Sequence, residues 1–240
     1  MKTYLVIGGS SGIGLSITLA LAEESKVVVV DKNPFPDDYA TPDISFQHHD
    51  LTNPDLTWLN ELQQPDGLFI TAGFGHLMLA KDMTDEYLTD IFSVNALAPV
   101  RILHHFLPLM YRKPMLCAVM VSIAGRLVSP LFSAYSATKA ALAKYIEAVN
   151  IELEMGGSEN RILEVSPGSI KGTAFNGQQT QPQMTAELAR QIIEAAKEQR
   201  TLLIPDYDEV FRDVLRRYHH DAHQFGVESY NYKVKRMARE

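Results

Sequence analysis

A tyrosine and a lysine four residues apart are the pair in this chain best suited to acid–base chemistry. Tyr135 and Lys139 lie near the start of a long helical pattern, where residues i and i+4 share one face. The ordinary pKa of tyrosine, near ~10, is too high for efficient proton transfer at neutral pH, but a neighbouring cation lowers it. The pair predicts a proton-transferring tyrosine, although the same spacing alone also occurs in ordinary surface pairs.

A serine lies thirteen residues before this tyrosine, where a strongly apolar segment ends. Ser122 follows the predicted strand that begins at Leu116. Open α/β sheets bind their ligands at the carboxyl ends of the strands. We therefore expect the Ser122 hydroxyl to share a site with Tyr135.

A glycine-rich segment follows the first predicted strand and opens the first predicted helix. Residues Gly8–Gly14 read Gly-Gly-Ser-Ser-Gly-Ile-Gly. Glycines permit a tight turn and let backbone N–H groups approach a pyrophosphate, to which the helix N-terminus adds a favourable dipole. Many glycine clusters are ordinary turns, but the order strand, glycines, helix is the one that a dinucleotide site requires.

The second predicted strand ends in an acidic residue, Asp31. A carboxylate there can accept hydrogen bonds from the adenosine ribose and would repel a 2′-phosphate, which favours NAD(H) over NADP(H). Ser11 stands where an arginine would support a 2′-phosphate, whereas Lys32 would partly offset the repulsion, so NADP(H) stays possible. The alternative is that Asp31 merely starts the following loop.

Strand-length apolar runs alternate with helical patterns along the chain. Such runs are typical of strands buried on both faces, and the alternation predicts parallel βαβ units. We expect an α/β fold of one domain, with a doubly wound, Rossmann-like parallel sheet of about seven strands between two helical layers. The predicted strands are Tyr4–Ile7, Lys26–Val30, Ile44–Gln47, Leu68–Thr71, Leu116–Val121, Ile162–Val165 and Thr201–Ile204. The predicted helices are Gly12–Glu24, Pro54–Leu62, Asp85–Met110, Ala134–Glu154 and Thr185–Lys197.

Length and composition fit one soluble domain of 240 residues, 46% of them hydrophobic. Residues 1–204 form the predicted dinucleotide-binding and catalytic part, and residues 205–240 a helical extension of the same domain. The net charge of −7 argues against a nucleic-acid partner, and no apolar stretch approaches the ~18 residues of a membrane span. The single Cys117 fits a reducing compartment, so we expect a cytoplasmic protein. His219 and His223 share a helix face but lack a third ligand at suitable spacing, and no metal is expected.

Together these features resemble the short-chain dehydrogenase/reductase family in its one-domain form, over about residues 3–204. Each motif alone is weak, but their order and spacing are specific. The matching positions are Gly8–Gly14, Asp31, Asp50–Thr52, Ala72–Gly73, Asn95, Ser122, Tyr135, Lys139 and Pro167–Gly168.

The resemblance implies a role for each matching side chain. Tyr135 would be the acid in carbonyl reduction and the base in alcohol oxidation, and Ser122 would bind the substrate oxygen. Lys139 would hold the nicotinamide ribose and lower the pKa of Tyr135, while Asn95 would anchor a water of a proton relay. The implied cofactor-binding residues are Gly8, Ser10, Ser11, Gly12, Ile13, Gly14, Asp31, Lys32, Asp50, Leu51, Ala72, Gly73, Tyr135, Lys139, Pro167, Gly168, Ile170 and Thr173.

Two segments depart from the family pattern. Ile70 and Thr71 stand where two asparagines are common, which changes the hydrogen bonds near the fourth strand. After Pro167–Gly168 the usual threonine position holds Gly172, and Thr173 follows one residue later as a possible partner of the nicotinamide amide.

The expected function is an NAD(P)-dependent oxidoreductase that interconverts a secondary alcohol and a ketone, as a homodimer or homotetramer. One alternative is an NADPH-dependent reductase of a carbonyl or 3-oxoacyl substrate. Another is a dinucleotide-binding sensor or scaffold without turnover. The polar loop Gly172–Met184 and the aromatic tail Phe225–Lys233 do not select between steroid, sugar, acyl and small aliphatic substrates. The tail would cover the substrate pocket, contact a neighbouring subunit or stay partly ordered.

Overall fold

Seven short apolar segments pair side by side into one fully parallel sheet. In this computed structural model, which describes residues 1–173, 175 and 180–237, the strand order is β3-β2-β1-β4-β5-β6-β7. The α/β class and the doubly wound, Rossmann-like sheet are thus confirmed. The strands are β1 (Thr3–Ile7), β2 (Lys26–Asp31), β3 (Ile44–His48), β4 (Gly67–Ile70), β5 (Leu116–Met120), β6 (Ile162–Val165) and β7 (Leu202–Leu203).

Helices cover both faces of the sheet because successive side chains of each strand point to opposite faces. Leu5 and Ile7 of β1 join one apolar cluster and Val6 joins the other. Helices α3 and α4 pack on the first cluster, and α1 and α5 on the second. The helices among the described residues are α1 (Gly12–Ala22), α2 (Asp85–Phe92), α3 (Ala98–Met110), α4 (Ser133–Met155), α5 (Pro182–Lys197), α6 (Arg212–His220) and α7 (Ala222–Met237).

The order of the strands places a crevice above the carboxyl ends of β1 and β4. The chain passes outward from β1 through β2 to β3, then returns to β4 on the other side of β1. At this switch point the loops after the two strands diverge, which is where open α/β sheets bind ligands.

Two predicted helices differ from those observed. The predicted helix Asp85–Met110 is α2 and α3 joined by a π-helical segment, Ser93–Leu97, which contains the buried Asn95. The predicted helix Pro54–Leu62 is only a 3₁₀ segment, Thr57–Glu61. There, Asn53 Oδ1 accepts from the Asp55 N–H at 2.9 Å and Asp55 Oδ1 from the Thr57 N–H at 2.9 Å. Such local side-chain bonds compete with helix formation.

After β7 the chain forms a helical hairpin that returns to the loop before α4. Arg217 of α6 and Glu228 of α7 form an ion pair at 2.6 Å. A Cβ added at Gly226 would lie 3.2 Å from Val128, so α7 packs closely on that loop. The predicted loop Gly172–Met184 gives way to α5 at Pro182, and its Gln178 and Gln179 lie outside the described residues. None of the described helices combines the length and apolar character needed to cross a membrane.

Candidate active site

The four predicted catalytic residues come together at the carboxyl edge of the sheet. Ser122 follows β5, Tyr135 and Lys139 lie in the first turns of α4, and Asn95 lies in the π-helical segment. All four are buried, with Tyr135 9% exposed and Lys139 2%. The Ser122 side chain is close enough to the Tyr135 phenol to oppose part of the rise that burial causes in the pKa of that phenol. The sequence spacing therefore translates into one shared site.

Ser122 is fixed by the ends of two neighbouring strands. Its hydroxyl oxygen accepts a hydrogen bond from the Ala124 N–H at 3.1 Å, and the hydroxyl donates to Pro167 O at 3.5 Å. The Ile123 N–H also donates to Pro167 O, at 3.0 Å. These bonds hold the serine beside the segment Pro167–Gly168, which the sequence assigns to the nicotinamide.

The electrostatics of Tyr135 differ from the expectation. Burial raises the pKa of its phenol, and the side chain of Ser122 opposes that rise. Lys139 Nζ lies 5.8 Å from the centroid of the Tyr135 ring and donates to Met120 O at 2.8 Å. Burial lowers the pKa of Lys139 to about 8. Burial is the larger cause of the shift and raises the pKa of Tyr135, so the expected lowering of this pKa by Lys139 is not seen.

Asn95 is held by the loop after β4. Its Oδ1 accepts from the Phe74 N–H at 2.9 Å, and its Nδ2 donates to Phe74 O at 2.7 Å and to Thr138 Oγ1 at 3.3 Å. A Cβ added at Gly73 would lie 3.2 Å from both Asn95 Oδ1 and Lys139 Nζ. The π-helical turn, a frequent feature of functional sites, thus brings Asn95 beside the lysine.

Two phenylalanines that the motifs did not indicate cover the tyrosine. The ring centroids of Phe132 and Phe175 lie 5.4 and 5.2 Å from that of Tyr135. On the other side of the sheet edge, a Cβ added at Gly168 would lie 2.5 Å from Phe211 Cζ. Phe132 and Phe211 have no sequence signal beyond their aromatic character, since only tertiary packing brings them here.

The glycine-rich loop fits a dinucleotide. Gly8 has φ +86°, and a Cβ there would lie 2.5 Å from the backbone nitrogen of Ala72, so only glycine is accommodated. Within the described residues, Ser10 Oγ is the one buried side-chain polar atom without a hydrogen-bond partner. Buried polar groups rarely stay unpaired, so this hydroxyl at the entrance to α1 fits a ligand oxygen. Ser11, Gly12, Ile13 and Gly14 continue the loop into α1.

The predicted adenosine-binding residues surround the ends of β2 and β3. Asp31 accepts from the Ser10 N–H at 3.0 Å and from the Asn33 N–H at 2.9 Å, so its carboxylate is anchored to the glycine-rich loop. The Thr52 N–H donates to Asp50 and is the main cause that lowers the pKa of this carboxylate. The charge of the exposed Lys32 lowers the same pKa to a smaller extent. Leu51 is buried.

Three threonines that follow β4 and β6 bind the glycine-rich loop or lie against it. Thr71 Oγ1 lies 3.1 Å from Ile7 O and 3.0 Å from Gly8 O, so the departure from asparagine still links β4 to the loop. Thr180 Oγ1 accepts from the Gly12 N–H at 3.2 Å, a donor that the sequence assigns to the pyrophosphate. Thr173 donates to Ile170 O at 2.9 Å, and its methyl faces Gly12.

A protein-family model described as short chain dehydrogenase matches residues 2–184. The chain belongs to the short-chain dehydrogenase family of oxidoreductases. Dehydrogenase RED2 of Cochliobolus heterostrophus is 36% identical over 165 residues, which cover 63% of this chain and 61% of that protein. The probable short-chain type dehydrogenase/reductase VdlC of Helicobacter pylori is 30% identical over 190 residues, covering 71% and 67%. The chain thus spans about three fifths to two thirds of these relatives.

Solved structures of short-chain dehydrogenases share the fold. One from Burkholderia phymatum in complex with NAD superposes with a TM-score of 0.80 at 19% identity, covering 92% of this chain and 93% of that one. An alcohol dehydrogenase from Thermococcus sibiricus with 5-hydroxy-NADP has a TM-score of 0.72 at 22% identity, covering 85% and 95%. Since one holds NAD and the other an NADP derivative, the shared fold does not select the cofactor.

Proposed function

We propose that this short-chain dehydrogenase interconverts a secondary alcohol and a ketone, with Tyr135 as the acid and base. The observation that carries the proposal is the convergence of the buried side chains of Tyr135, Ser122 and Lys139 at one edge of the sheet, with Lys139 Nζ 5.8 Å from the centroid of the phenol ring. The glycine-rich loop that fits a dinucleotide opens on the same edge of the sheet. A protein that only bound the dinucleotide would have little use for a phenol beside a lysine.

The dinucleotide, when bound, supplies or accepts the hydride. In the reducing direction Ser122 donates a hydrogen bond to the carbonyl oxygen, and Tyr135 delivers its proton to that same oxygen. Burial raises the pKa of the phenol, which keeps that proton in place until the oxygen becomes basic. Lys139 then stabilises the phenolate by its charge. Phe132 and Phe175 exclude water from the reacting oxygen.

We infer a preference for NAD(H) from Asp31, whose carboxylate is fixed at the end of β2 where a 2′-phosphate would meet it. The competing NADPH-dependent carbonyl reductase has one observation in its favour, the exposed Lys32 beside Asp31. Titrating the protein with NADH and NADPH in one buffer, by nucleotide fluorescence, separates the two. Tighter NADPH binding would move the search for a substrate to carbonyl reduction.

The proposed cellular setting is the cytoplasm, because the single Cys117 is buried with a thiol pKa raised to about 12 and suits a reducing compartment. The proposed assembly is a homodimer or homotetramer. Its support is the exposed apolar side chains of α4, among them Ile151 and Met155.

Replacement of the phenol tests the reaction. Tyr135→Phe removes the proton donor but keeps the ring between Phe132 and Phe175, so turnover of any secondary alcohol should fall by about 10³-fold or more. NADH affinity should change less than about threefold, because the glycine-rich loop is untouched. Retained turnover in this variant would overturn the assignment of Tyr135.

A further inference from the structure

A lysine of the C-terminal helix reaches the aromatic residues above the catalytic tyrosine. Lys233 Nζ donates to Ser129 Oγ at 2.7 Å and to Pro130 O at 2.8 Å. It lies 5.3 Å from the centroid of Phe132, whose ring is 5.4 Å from that of Tyr135. The ammonium is therefore within about 11 Å of the centroid of the Tyr135 ring, by the sum of these two distances.

Lys233 carries a charge for which the described part of the chain provides no counterion. None of the ion pairs between described residues includes it. Burial alone lowers the pKa of Lys233 to about 8, so at neutral pH the group is a half-buried cation facing neutral oxygens. A cation removed from water gains from an anion placed beside it. Lys235, two residues further along α7, is exposed.

Resting on the proposed function, we propose that Lys233 binds the carboxylate of the substrate, which is a hydroxy or oxo acid. Two of the three ammonium donors bind neutral oxygens and the ammonium lies over the Phe132 ring, so its charge has no anionic partner among the described residues. That suits a single carboxylate oxygen better than a phosphate with three acceptor oxygens. Lys233 is thus a specificity-determining residue.

The same geometry describes the middle of the substrate. The acid must span from Tyr135 to Lys233, so its carboxylate lies several bonds from the carbinol carbon rather than next to it. Phe132 and Phe175, whose ring centroids are 6.1 Å apart, both lie against Tyr135, and Phe132 also lies beneath Lys233. They favour an apolar chain between the two polar ends, as in a medium-chain oxo acid.

Paired probes test the inference. Kinetics with 7-oxooctanoate and its methyl ester, which differ only in the charge of the distal group, are compared in wild type, Lys233→Met, Lys233→Arg and the control Lys235→Met. We expect wild type and the control to prefer the acid. Lys233→Met should raise KM for the acid about tenfold while leaving the ester and both kcat values within twofold, and Lys233→Arg should restore most of the preference. Equal effects of Lys233→Met on acid and ester, or no effect on either, would overturn the inference.

A binding measurement separates this inference from the proposed reaction. Calorimetric titration of 7-oxooctanoate into the NADH-loaded protein needs no turnover. Binding that Lys233→Met weakens, with no turnover of either probe, would support carboxylate recognition and count against the proposed function. If the ester is turned over and Lys233→Met binds 7-oxooctanoate as tightly as wild type does, the inference is overturned and the proposed function stands.

Discussion

At the scale of single residues, Lys139 combines two requirements that conflict in energy. The proposed mechanism needs a cation beside the phenol, yet burial lowers the pKa of Lys139 from 10.5 to about 8. Between those two values the unfolded chain holds a proton that the folded protein has released. Raising the pH through this range therefore favours the folded state. Above pH 10 the raised pKa of Tyr135 acts in the opposite direction, because the unfolded phenol ionises first.

The first prediction follows from this linkage. The free energy of unfolding in urea, measured without cofactor, should rise between pH 7.5 and 9.5 in wild type, and Lys139 alone should contribute about 2 kcal/mol of that rise. Lys139→Met should abolish turnover and remove the contribution of this lysine to the rise of the unfolding free energy with pH. Lys144 is an exposed lysine of α4, so Lys144→Met should leave that rise as it is in wild type. The half-buried Lys233 also contributes to the rise of the unfolding free energy with pH. The rise should therefore be smaller in the double variant Lys139→Met/Lys233→Met than in Lys139→Met alone. Equal slopes in Lys139→Met and wild type would contradict the prediction.

The second prediction at this scale concerns Asp31. Its carboxylate is fixed by two backbone N–H groups, so its negative charge stays at the end of β2. Asp31→Ala removes the charge that would oppose a 2′-phosphate, and the ratio of NADPH to NADH affinity should rise about tenfold, equivalent to ~1.4 kcal/mol. Asp31→Asn, which keeps one acceptor oxygen, should show the change in charge alone. An unchanged ratio in both variants would mean that Asp31 does not face the ribose.

At the scale of elements, one buried ion pair joins the loop after β5 to β6. Arg126 Nε donates to Glu164 Oε1 at 2.9 Å, and the same oxygen accepts from Ser166 Oγ at 2.6 Å. The side chain of Glu164 is 4% exposed and that of Arg126 is 32%. The pair connects the segment that follows Ser122 with the strand end that leads to Pro167.

Because Glu164 is more buried than Arg126, removing the arginine should lower the free energy of unfolding more than neutralising the glutamate. Arg126→Met leaves a buried carboxylate with only Ser166 as partner, and should lower the free energy of unfolding by about 3 kcal/mol. Glu164→Gln leaves a cation that can turn to water, and should cost about 1 kcal/mol. The exposed pair Arg190–Glu187 of α5 is the matched control, with less than ~1 kcal/mol for either change. Denaturant titrations that gave Glu164→Gln the larger cost would contradict this account.

The elements that have a periodic pattern or a fixed local motif could be predicted from the sequence. The features that depend on partners far along the chain could not. The seven apolar runs, the glycine-rich loop and the pair Tyr135–Lys139 were all visible, because each is a local pattern. The π-helical turn around Asn95 was not, since that side chain binds Phe74, twenty-one residues away. Thr180 at Gly12 and Lys233 at Phe132 join segments more than one hundred residues apart, which no spacing rule reveals.

At the scale of the whole molecule, α4 carries two large apolar side chains that are exposed in the single chain. Ile151 is 60% exposed and Met155 82%, and the i, i+4 spacing places both on one helix face. Tyr111, 46% exposed, extends this surface at the end of α3, where its hydroxyl donates to Glu152 O at 3.1 Å. Exposed neighbouring apolar side chains of this kind mark a contact with another protein surface, here proposed to be a second copy.

A charge in the middle of that surface tests the assembly. Ile151→Lys would place an ammonium against its own symmetry mate, so the mass measured by light scattering should fall from a dimer or tetramer to a smaller species. The far-ultraviolet circular dichroism should stay unchanged, because position 151 is solvent-exposed in the single chain. Glu187→Lys on α5 reverses a charge on another helix and should leave the mass unaltered. A wild-type protein that is already monomeric, or an Ile151→Lys variant of unchanged mass, would remove α4 from the interface and direct attention to other exposed apolar faces of the chain.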